Sequence, residues 1–159
     1  MEQSPTISEV FPIPAEAKRL EVFLGDWDVE GTVTFGGNAM KAKGRWAFRK
    51  AAGGWGLKAT MKVNLEGMGS YEEDDLVGFD KESGRLHVFT LTNTAAVHDH
   101  LATWSDRNTL NLEYDGLQDG KKLREEATIR FSRPNELTMS EVDTVDGQVA
   151  STMEVTLRK

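Results

Sequence analysis

Cysteine is absent from all 159 residues of this sequence. That absence excludes disulfide bridges, thiolate nucleophiles and thiolate metal ligands. The sequence also lacks any segment close to the ~20 apolar residues that a membrane-spanning helix needs. Its first residues show neither the basic region nor the apolar region of a signal peptide. We therefore expect a cytoplasmic protein that has no membrane partner.

Positive charge is scarce. The chain has 19 lysines and arginines against 26 aspartates and glutamates, which gives a net charge of −7 at neutral pH. The densest basic run, Lys121-Lys122-Leu123-Arg124, belongs to a stretch ending at Glu126 that we interpret as a solvated strand edge. Because nucleic acids and anionic membranes bind clustered positive charge, the composition argues against both as partners.

Helical periodicity is confined to one short segment. Residues from Pro14 to Leu24 carry an apolar stripe, Pro14 suits the first helical position, and Gly25 suits the left-handed residue that ends a helix. Residues 1–12 contain two prolines and no period, so we expect a flexible N-terminal segment there. The remainder, residues 13–159, contains no linker and is predicted to form a single domain.

Alternation of apolar and polar residues fills the rest of the chain. Ten short segments between Asp26 and Lys159 alternate in this way, and turn-forming pairs such as Asp146-Gly147 separate them. Side chains alternate between the two faces of a strand, so each segment offers one face to a core and one to water. The predicted fold class is all-β: a single antiparallel up-and-down β-barrel of about ten strands, with the short N-terminal helix covering one mouth.

Three motifs point to a family. Leu20-x-x-x-Leu24-Gly25-x-Trp27 opens the first strand, Val77-Gly78-Phe79-Asp80 ends the fourth, and Trp104-Ser105-Asp106 lies near the end of the sixth. With these motifs the chain resembles prokaryotic lipocalin-like domains of unknown function in the calycin group of lipocalins, fatty-acid-binding proteins and nitrobindins. The resemblance implies a barrel around a cavity and no particular chemistry. Nitrobindin-like members bind haem through a histidine near the C-terminus, which this chain lacks, so haem is not expected.

The three histidines, His87, His98 and His100, are the first candidates for chemistry. His98 and His100 share one face of a strand because they are two residues apart. If Thr94-Ala95 is a two-residue loop between the fifth and sixth strands, His87 joins that face, within the ~5–8 Å of cross-strand neighbours. Three imidazoles so placed can bind zinc or another divalent ion. A metal site of His87, His98 and His100, metal-free acid–base work, and a polar cavity wall all stay open.

Carboxylates of the fourth strand join the same face if the turn at residues 81–84 preserves the alternation. Asp75 would then lie beside the imidazoles, where it could orient them or share acid–base work. The candidate catalytic residues are therefore His98, His100 and Asp75. Both loop lengths are assumptions, and an error of one residue moves a whole strand to the other face.

The interior of the barrel is predicted from exposed area. The face that carries the histidines also carries aromatic rings, and exposing these costs more than exposing β-branched residues, at ~25 cal/mol per Å². The Asp146-Gly147 turn aligns the last two strands so that Ser140 falls inside and Glu141 on the surface. The predicted ligand-binding residues are Tyr71, Phe79, His87, Phe89, Leu91, Trp104 and Ser140.

Three functions remain open at this point. The first is a binding module for a small, mainly hydrophobic molecule in the barrel cavity. The second is an enzyme of isomerase, cyclase, lyase or metal-dependent type that uses the histidines in the same cavity. The third is an interaction domain whose barrel is filled by side chains. Apart from a divalent metal, no cofactor is expected, and a homodimer is as compatible with the sequence as a monomer.

Overall fold

The computed structural model describes residues 4–159, which contain one closed antiparallel barrel of ten strands. Each strand pairs with its neighbours in sequence, and the first pairs with the last. The strands are Gly25–Phe35 (β1), Asn38–Ala51 (β2), Gly56–Leu65 (β3), Gly69–Asp80 (β4), Arg85–Thr92 (β5), Val97–Trp104 (β6), Thr109–Gln118 (β7), Lys121–Arg133 (β8), Glu136–Val145 (β9) and Gln148–Arg158 (β10). The predicted up-and-down barrel is confirmed.

The helices all precede the barrel, apart from a 3₁₀ turn at Ala52–Gly54. One helical turn, Ile7–Val10 (α1), lies within the segment predicted to be flexible, of which residues 1–3 lie outside the described residues. The predicted covering helix is an α-helical turn at Ala15–Lys18 (α2) that continues as a 3₁₀ turn at Arg19–Phe23. No helix within residues 4–159 is long and apolar enough to cross a membrane.

The covering helix closes the end of the barrel where β1 begins and β10 ends, which we call the covered end. The ring of Phe23 lies 5.5 Å from that of Phe48 and 5.1 Å from that of Phe131. The guanidinium of Arg19 lies 3.9 Å over the ring of Trp104 and donates a hydrogen bond to the carbonyl of Asp106. The helix is therefore anchored by apolar burial and by a cation–π contact.

The opposite end carries the turns that join β1 to β2 and β9 to β10, and we call it the far end. The largest fully buried side chains gather near the covered end instead, where the wall is apolar on all sides. These side chains are Trp27, Leu20, Leu137, Leu157 and Val29. The core therefore stabilises one half of the barrel and leaves the far half to other side chains.

Two glycines allow neighbouring strands to approach closely. A Cβ atom at Gly31 would collide with the backbone carbonyl of Glu154, and one at Gly44 would collide with that of Lys62. Only glycine fits where another backbone lies so near. Such positions let the strands coil enough to close a barrel.

The β5–β6 turn has three residues, 93–95, rather than the two predicted. Its last residue adopts a left-handed conformation (φ 66°), and the hydroxyl of Thr92 accepts a hydrogen bond from the N–H of Ala96 at 3.2 Å. This is the common three-residue hairpin geometry. The register consequently pairs Thr90 with His98 and turns β5 over relative to the prediction.

The turn at residues 81–84 makes a second change of the same kind. It pairs Val77 with Val88, so the alternation is not carried across the turn as predicted. Each of the two turns changes the register by one residue. The side chains of β4 and β6 that were predicted to share a face therefore still do so, and only β5 presents the opposite face. The predicted interior residues that this reversal moves to the outer wall are His87, Phe89 and Leu91.

β10 contains a β-bulge between Val149 and Ser151. The Asp146-Gly147 turn has the predicted two-residue form, but the bulge adds an unpaired residue and shifts every later pair by one position. Glu141 therefore faces the lumen and Ser140 faces out, so the prediction for both residues was wrong.

Candidate functional site

Ionisable and hydroxyl side chains line the far half of the lumen. They come from seven consecutive strands, β4 to β10, and most are half-buried, so they remain in contact with solvent although they point into a closed barrel. We call this set the polar cluster. Its members are Tyr71, Glu73, Asp75, Thr90, His98, His100, Tyr114, Glu125, Glu141, Asp143 and Ser151.

Glu125 joins the two histidines of the cluster. One of its oxygens, Oε2, lies 3.0 Å from Nδ1 of His98 and 2.6 Å from Nε2 of His100. All three side chains are only 12% exposed. The ring of Tyr114 stacks on His98 at 4.0 Å and lies over Gly116, where a Cβ atom would overlap the phenol. The orientation of His98 is therefore held from two sides.

Glu125 reaches β6 although β7 lies between them in the sheet. The β6–β7 ladder runs only from Leu101, opposite Glu113, to Trp104, opposite Leu110. Beyond it, residues 97–100 and 114–118 are not paired with each other, and we call this gap the β6–β7 seam. Side chains bridge the seam where backbone hydrogen bonds do not.

Three of the carboxylates accept a hydrogen bond from a neighbouring hydroxyl. The donors and acceptors are Tyr71 to Glu73 at 2.5 Å, Thr90 to Asp75 at 2.6 Å, and Ser151 to Asp143 at 2.5 Å. Each bond satisfies only part of what a carboxylate can accept. The cluster therefore keeps hydrogen-bonding capacity directed into the lumen.

Burial makes several of these carboxyl groups hold their protons. It raises the pKa of Glu73 to about 8, and the charge of Asp75 adds to the rise. Burial also raises the pKa of Glu141 well above its usual value, assisted by repulsion from Asp143 and Glu73. Burial raises the pKa of Asp143 as well. With its pKa near 8, Glu73 holds a proton at neutral pH and can both donate and accept hydrogen bonds.

The pKa of Glu125 is shifted in the opposite direction. Burial acts to raise its pKa, but the hydrogen bond from His100 and the charges of His98 and His100 together lower it below the usual value. A carboxylate that accepts hydrogen bonds from two imidazoles stays ionised near neutral pH. The lumen thus contains one carboxyl group with a lowered pKa beside carboxyl groups whose pKa values are raised by burial.

Two buried polar atoms of the cluster have no hydrogen-bond partner among the described residues. These atoms are Nδ1 of His100 and Oδ1 of Asp143. Buried polar atoms are normally satisfied, so orphaned ones mark a place where a bound group or water completes the set. Within residues 4–159, the only ion pairs made by the five lumen carboxylates are those of Glu125 with the two imidazoles.

Five of the site residues predicted from the sequence face the lumen, four of them in the polar cluster and one at the covered end. His98, His100, Asp75 and Tyr71 belong to the polar cluster, as the shared face of β4 and β6 predicted. Trp104 packs at the covered end, with its ring 6.1 Å from that of Phe23. A sixth residue, Phe79, is partly buried and packs against the apolar core.

The other predicted lining residues lie on the outer wall, which corrects the prediction for each. Phe89 is 47% exposed and Leu91 is 50% exposed, because β5 is reversed. Ser140 is exposed because of the bulge in β10. His87 hydrogen-bonds Asp99 on the outer face at 2.9 Å, so it does not share a site with the other two histidines.

Four lumen residues were not predicted as site residues from the sequence: Glu125, Glu141, Asp143 and Tyr114. Glu125 stood in a charged stretch interpreted as a solvated edge, yet it keeps a period of two with the buried Leu123. That period was the available signal. Glu141 and Asp143 likewise keep a period of two with the buried Leu137 and Met139, but the turn at residues 146–147 favoured the opposite face because the bulge in β10 leaves no mark in a single sequence.

The outer wall also has two shallow depressions, of about 250 and 300 Å³. The first is lined mainly by polar residues of β6, β7 and β8, and the second by residues of β1 and β2. Neither contains a member of the polar cluster. We therefore place the candidate site in the lumen.

Fold and site together define a small antiparallel β-barrel with an apolar covered end and an ionisable far half. Residues 14–159 match the family DUF1579, described as a protein of unknown function. The chain belongs to this family, which confirms the predicted resemblance to a barrel domain of unknown function. No curated protein sequence matches the chain.

Two solved structures illustrate how widely the fold occurs. The S-type phycobiliprotein lyase CPES from Guillardia theta is similar with a TM-score of 0.62 at 11% identity, over 98% of each chain. A redesigned β-barrel, mFAP0, bound to DFHBI, is similar with a TM-score of 0.50 at 14% identity, over 87% of this chain and 99% of its own. Identities this low establish a common fold and no common chemistry.

Proposed function

We propose that this protein binds a small organic molecule in the far half of its barrel. The observation that carries the proposal is the polar cluster itself: its side chains point into a closed barrel and yet remain in contact with solvent. Pockets for small molecules combine an apolar wall with a few convergent polar groups. The redesigned barrel bound to DFHBI supports the idea that this architecture can admit such a molecule.

The wall offers two kinds of surface to a ligand. Partly buried apolar side chains, among them Val33, Leu65 and Met153, adjoin the core and face the same lumen as the polar cluster. A ligand with an apolar body and one polar head group uses both surfaces. This refines the mainly hydrophobic ligand expected from the sequence.

The head group is expected to be a hydrogen-bond donor, and preferably a cation. The polar cluster contains five carboxyl groups and two imidazoles, and it contains no lysine or arginine. Burial and mutual repulsion raise the pKa of Glu73 and Glu141, and a bound cation would favour the ionised form of these groups. An organic ammonium group combines that charge with three donors.

A matched series of ligands tests the proposal. Hexylamine and octylamine are compared with hexanol and octanol by isothermal titration calorimetry at neutral pH. We expect each amine to bind about tenfold more tightly than its alcohol or better, which is about 1.4 kcal/mol. Glu141→Gln should reduce the preference, because glutamine cannot lose a proton to form an ion pair with the ammonium group.

The control for this experiment is Glu154→Gln, on the exposed outer face of β10, which should leave the preference intact. Equal binding of amines and alcohols would contradict the proposed head group. A wild-type protein that binds neither series would contradict the proposed function and favour an interaction domain with a filled barrel.

Acid–base catalysis in the same lumen is a second candidate function. Its support is that Glu73, with a pKa of about 8, lies in the same lumen as Asp75, whose carboxylate accepts a hydrogen bond from Thr90. A group that gains and loses a proton near neutral pH suits proton transfer to a bound molecule. The catalytic roles of His98 and His100 stay predictions.

Small molecules extracted from freshly purified protein provide the test for catalysis. They are returned to fresh protein and followed by mass spectrometry. We expect conversion by the wild type and its loss in Asp75→Asn, with binding retained in that variant. A ligand whose mass and chromatographic position stay unchanged would contradict catalysis and leave the binding proposal standing.

A further inference from the structure

We propose that His98, His100 and Glu125 bind a divalent cation of the zinc type within the far half of the barrel. Two imidazole nitrogens and one carboxylate oxygen form the donor set, and all three donor atoms lie within 4.8 Å of one another. This set shares two histidines with the site expected from the sequence and replaces His87 with Glu125. The inference goes beyond the proposed function, because it requires no organic ligand.

The distances within the set fit a tetrahedral ion after a small expansion. Zinc forms bonds of about 2.0–2.2 Å to these atoms, so neighbouring ligand atoms in a tetrahedron stand about 3.3 Å apart. Here Oε2 of Glu125 lies 3.0 Å from Nδ1 of His98 and 2.6 Å from Nε2 of His100. Each separation has to grow by less than about 1 Å, and side-chain rotation supplies that much.

The ligands are already oriented before an ion arrives. Stacking on Tyr114 fixes the ring plane of His98, and Gly116 leaves the space in which Tyr114 lies. For His100, the enclosed atom is Nδ1, so Nε2 is the nitrogen directed at Glu125. Preorganised ligands lose little freedom when they bind an ion, which favours a measurable affinity.

The surrounding charge favours a cation. Besides Glu125, the polar cluster supplies four carboxyl groups, and Asp75 lies near enough to His100 for their charges to interact. With three protein ligands, a zinc-type ion keeps one position free for water.

The competing explanation is a hydrogen-bond network without metal, in which both imidazoles donate to one carboxylate oxygen. Zinc binding separates the two explanations. The full-length protein is treated with EDTA, dialysed and titrated with zinc chloride by calorimetry, and cobalt chloride serves as a spectroscopic probe of coordination. We expect one zinc per chain and cobalt absorption typical of tetrahedral coordination.

Variants locate the ion. His100→Gln and Glu125→Gln should each weaken zinc binding by about 100-fold or more, since removing even an outer partner of a metal ligand costs 10–100-fold. His87→Gln is the matched control, because His87 lies on the outer wall and bonds only Asp99 closely. Its zinc affinity should equal that of the wild type.

Circular dichroism in EDTA shows whether each variant is folded. Should a ligand variant fail to fold, the cobalt spectrum of the wild type decides the question alone. A wild-type cobalt spectrum identical to that of the ion in buffer would overturn the inference, as would a loss of zinc in His87→Gln equal to that in His100→Gln. The amine titration does not depend on added metal, so failure of one proposal is distinguishable from failure of the other.

Discussion

Glu73 is expected to make the stability of the protein depend on pH. Its pKa is raised to about 8 by burial and by the charge of Asp75, whereas in the unfolded chain it returns to the usual value near 4.3. Between those two values the folded state retains a proton that the unfolded state has lost. Stability therefore falls as pH rises through this window.

Replacing Glu73 by glutamine tests this relation. Urea unfolding between about pH 5 and pH 8 should show a steady loss of free energy in the wild type and a smaller loss in Glu73→Gln, in which Glu141 still contributes to the slope. Near pH 8 the Glu73→Gln variant should be more stable than the wild type, because glutamine places no charge in the buried position. Glu154→Gln, on the exposed face of β10, should keep the wild-type slope. The same slope in all three proteins would show that Glu73 does not hold its proton.

At the scale of a strand, close backbone approach excludes any side chain at Gly44. A Cβ atom at Gly44 meets the carbonyl of Lys62, whereas a Cβ atom at Gly78 meets nothing within 4 Å. Both glycines lie inside strands, so they form a matched pair. Gly44→Ala should reduce the free energy of unfolding by about 3 kcal/mol or more, in line with severe overpacking. Gly78→Ala should be neutral or stabilise by up to about 1 kcal/mol.

Urea unfolding of both alanine variants under identical conditions provides the measurement. Failure of Gly44→Ala to accumulate as folded protein agrees with the prediction, provided that Gly78→Ala folds normally. Equal stability of the two variants would mean that the strands can separate at Gly44 without loss, and the proposed source of barrel curvature would then be wrong.

Individual strands were predictable, whereas their alignment was predictable only in part. Alternation identified all ten strands because each has one buried face. The face of β5 was wrong because Thr92 stabilises a three-residue turn that two-residue turn statistics do not favour. The face of Glu141 was wrong because a bulge in β10 changes parity in mid-strand. Each error comes from one additional residue, in the β5–β6 turn or in the β10 bulge, that the alternation pattern does not reveal.

For the whole molecule, fold and site differ in how they can be predicted. The barrel follows from strand number, turn positions and the absence of other helices, which many residues specify together. The polar cluster depends on seven strands meeting in register, so one misplaced strand removes members such as Glu141. Asp75, His98 and His100 were nevertheless placed together, because two errors of parity cancelled between β4 and β6.

The β6–β7 seam has a consequence for how the lumen exchanges its contents. Elsewhere in the described chain, neighbouring strands are joined by longer ladders of backbone hydrogen bonds. At the seam, the stack of His98 on Tyr114 and the contacts of both histidines to Glu125 hold the wall together. Side-chain rotations take place far faster than the breaking of a whole ladder. The seam is therefore the part of the wall that can open at the cost of the fewest backbone hydrogen bonds, and a cation bound by His98, His100 and Glu125 would tie its two sides together.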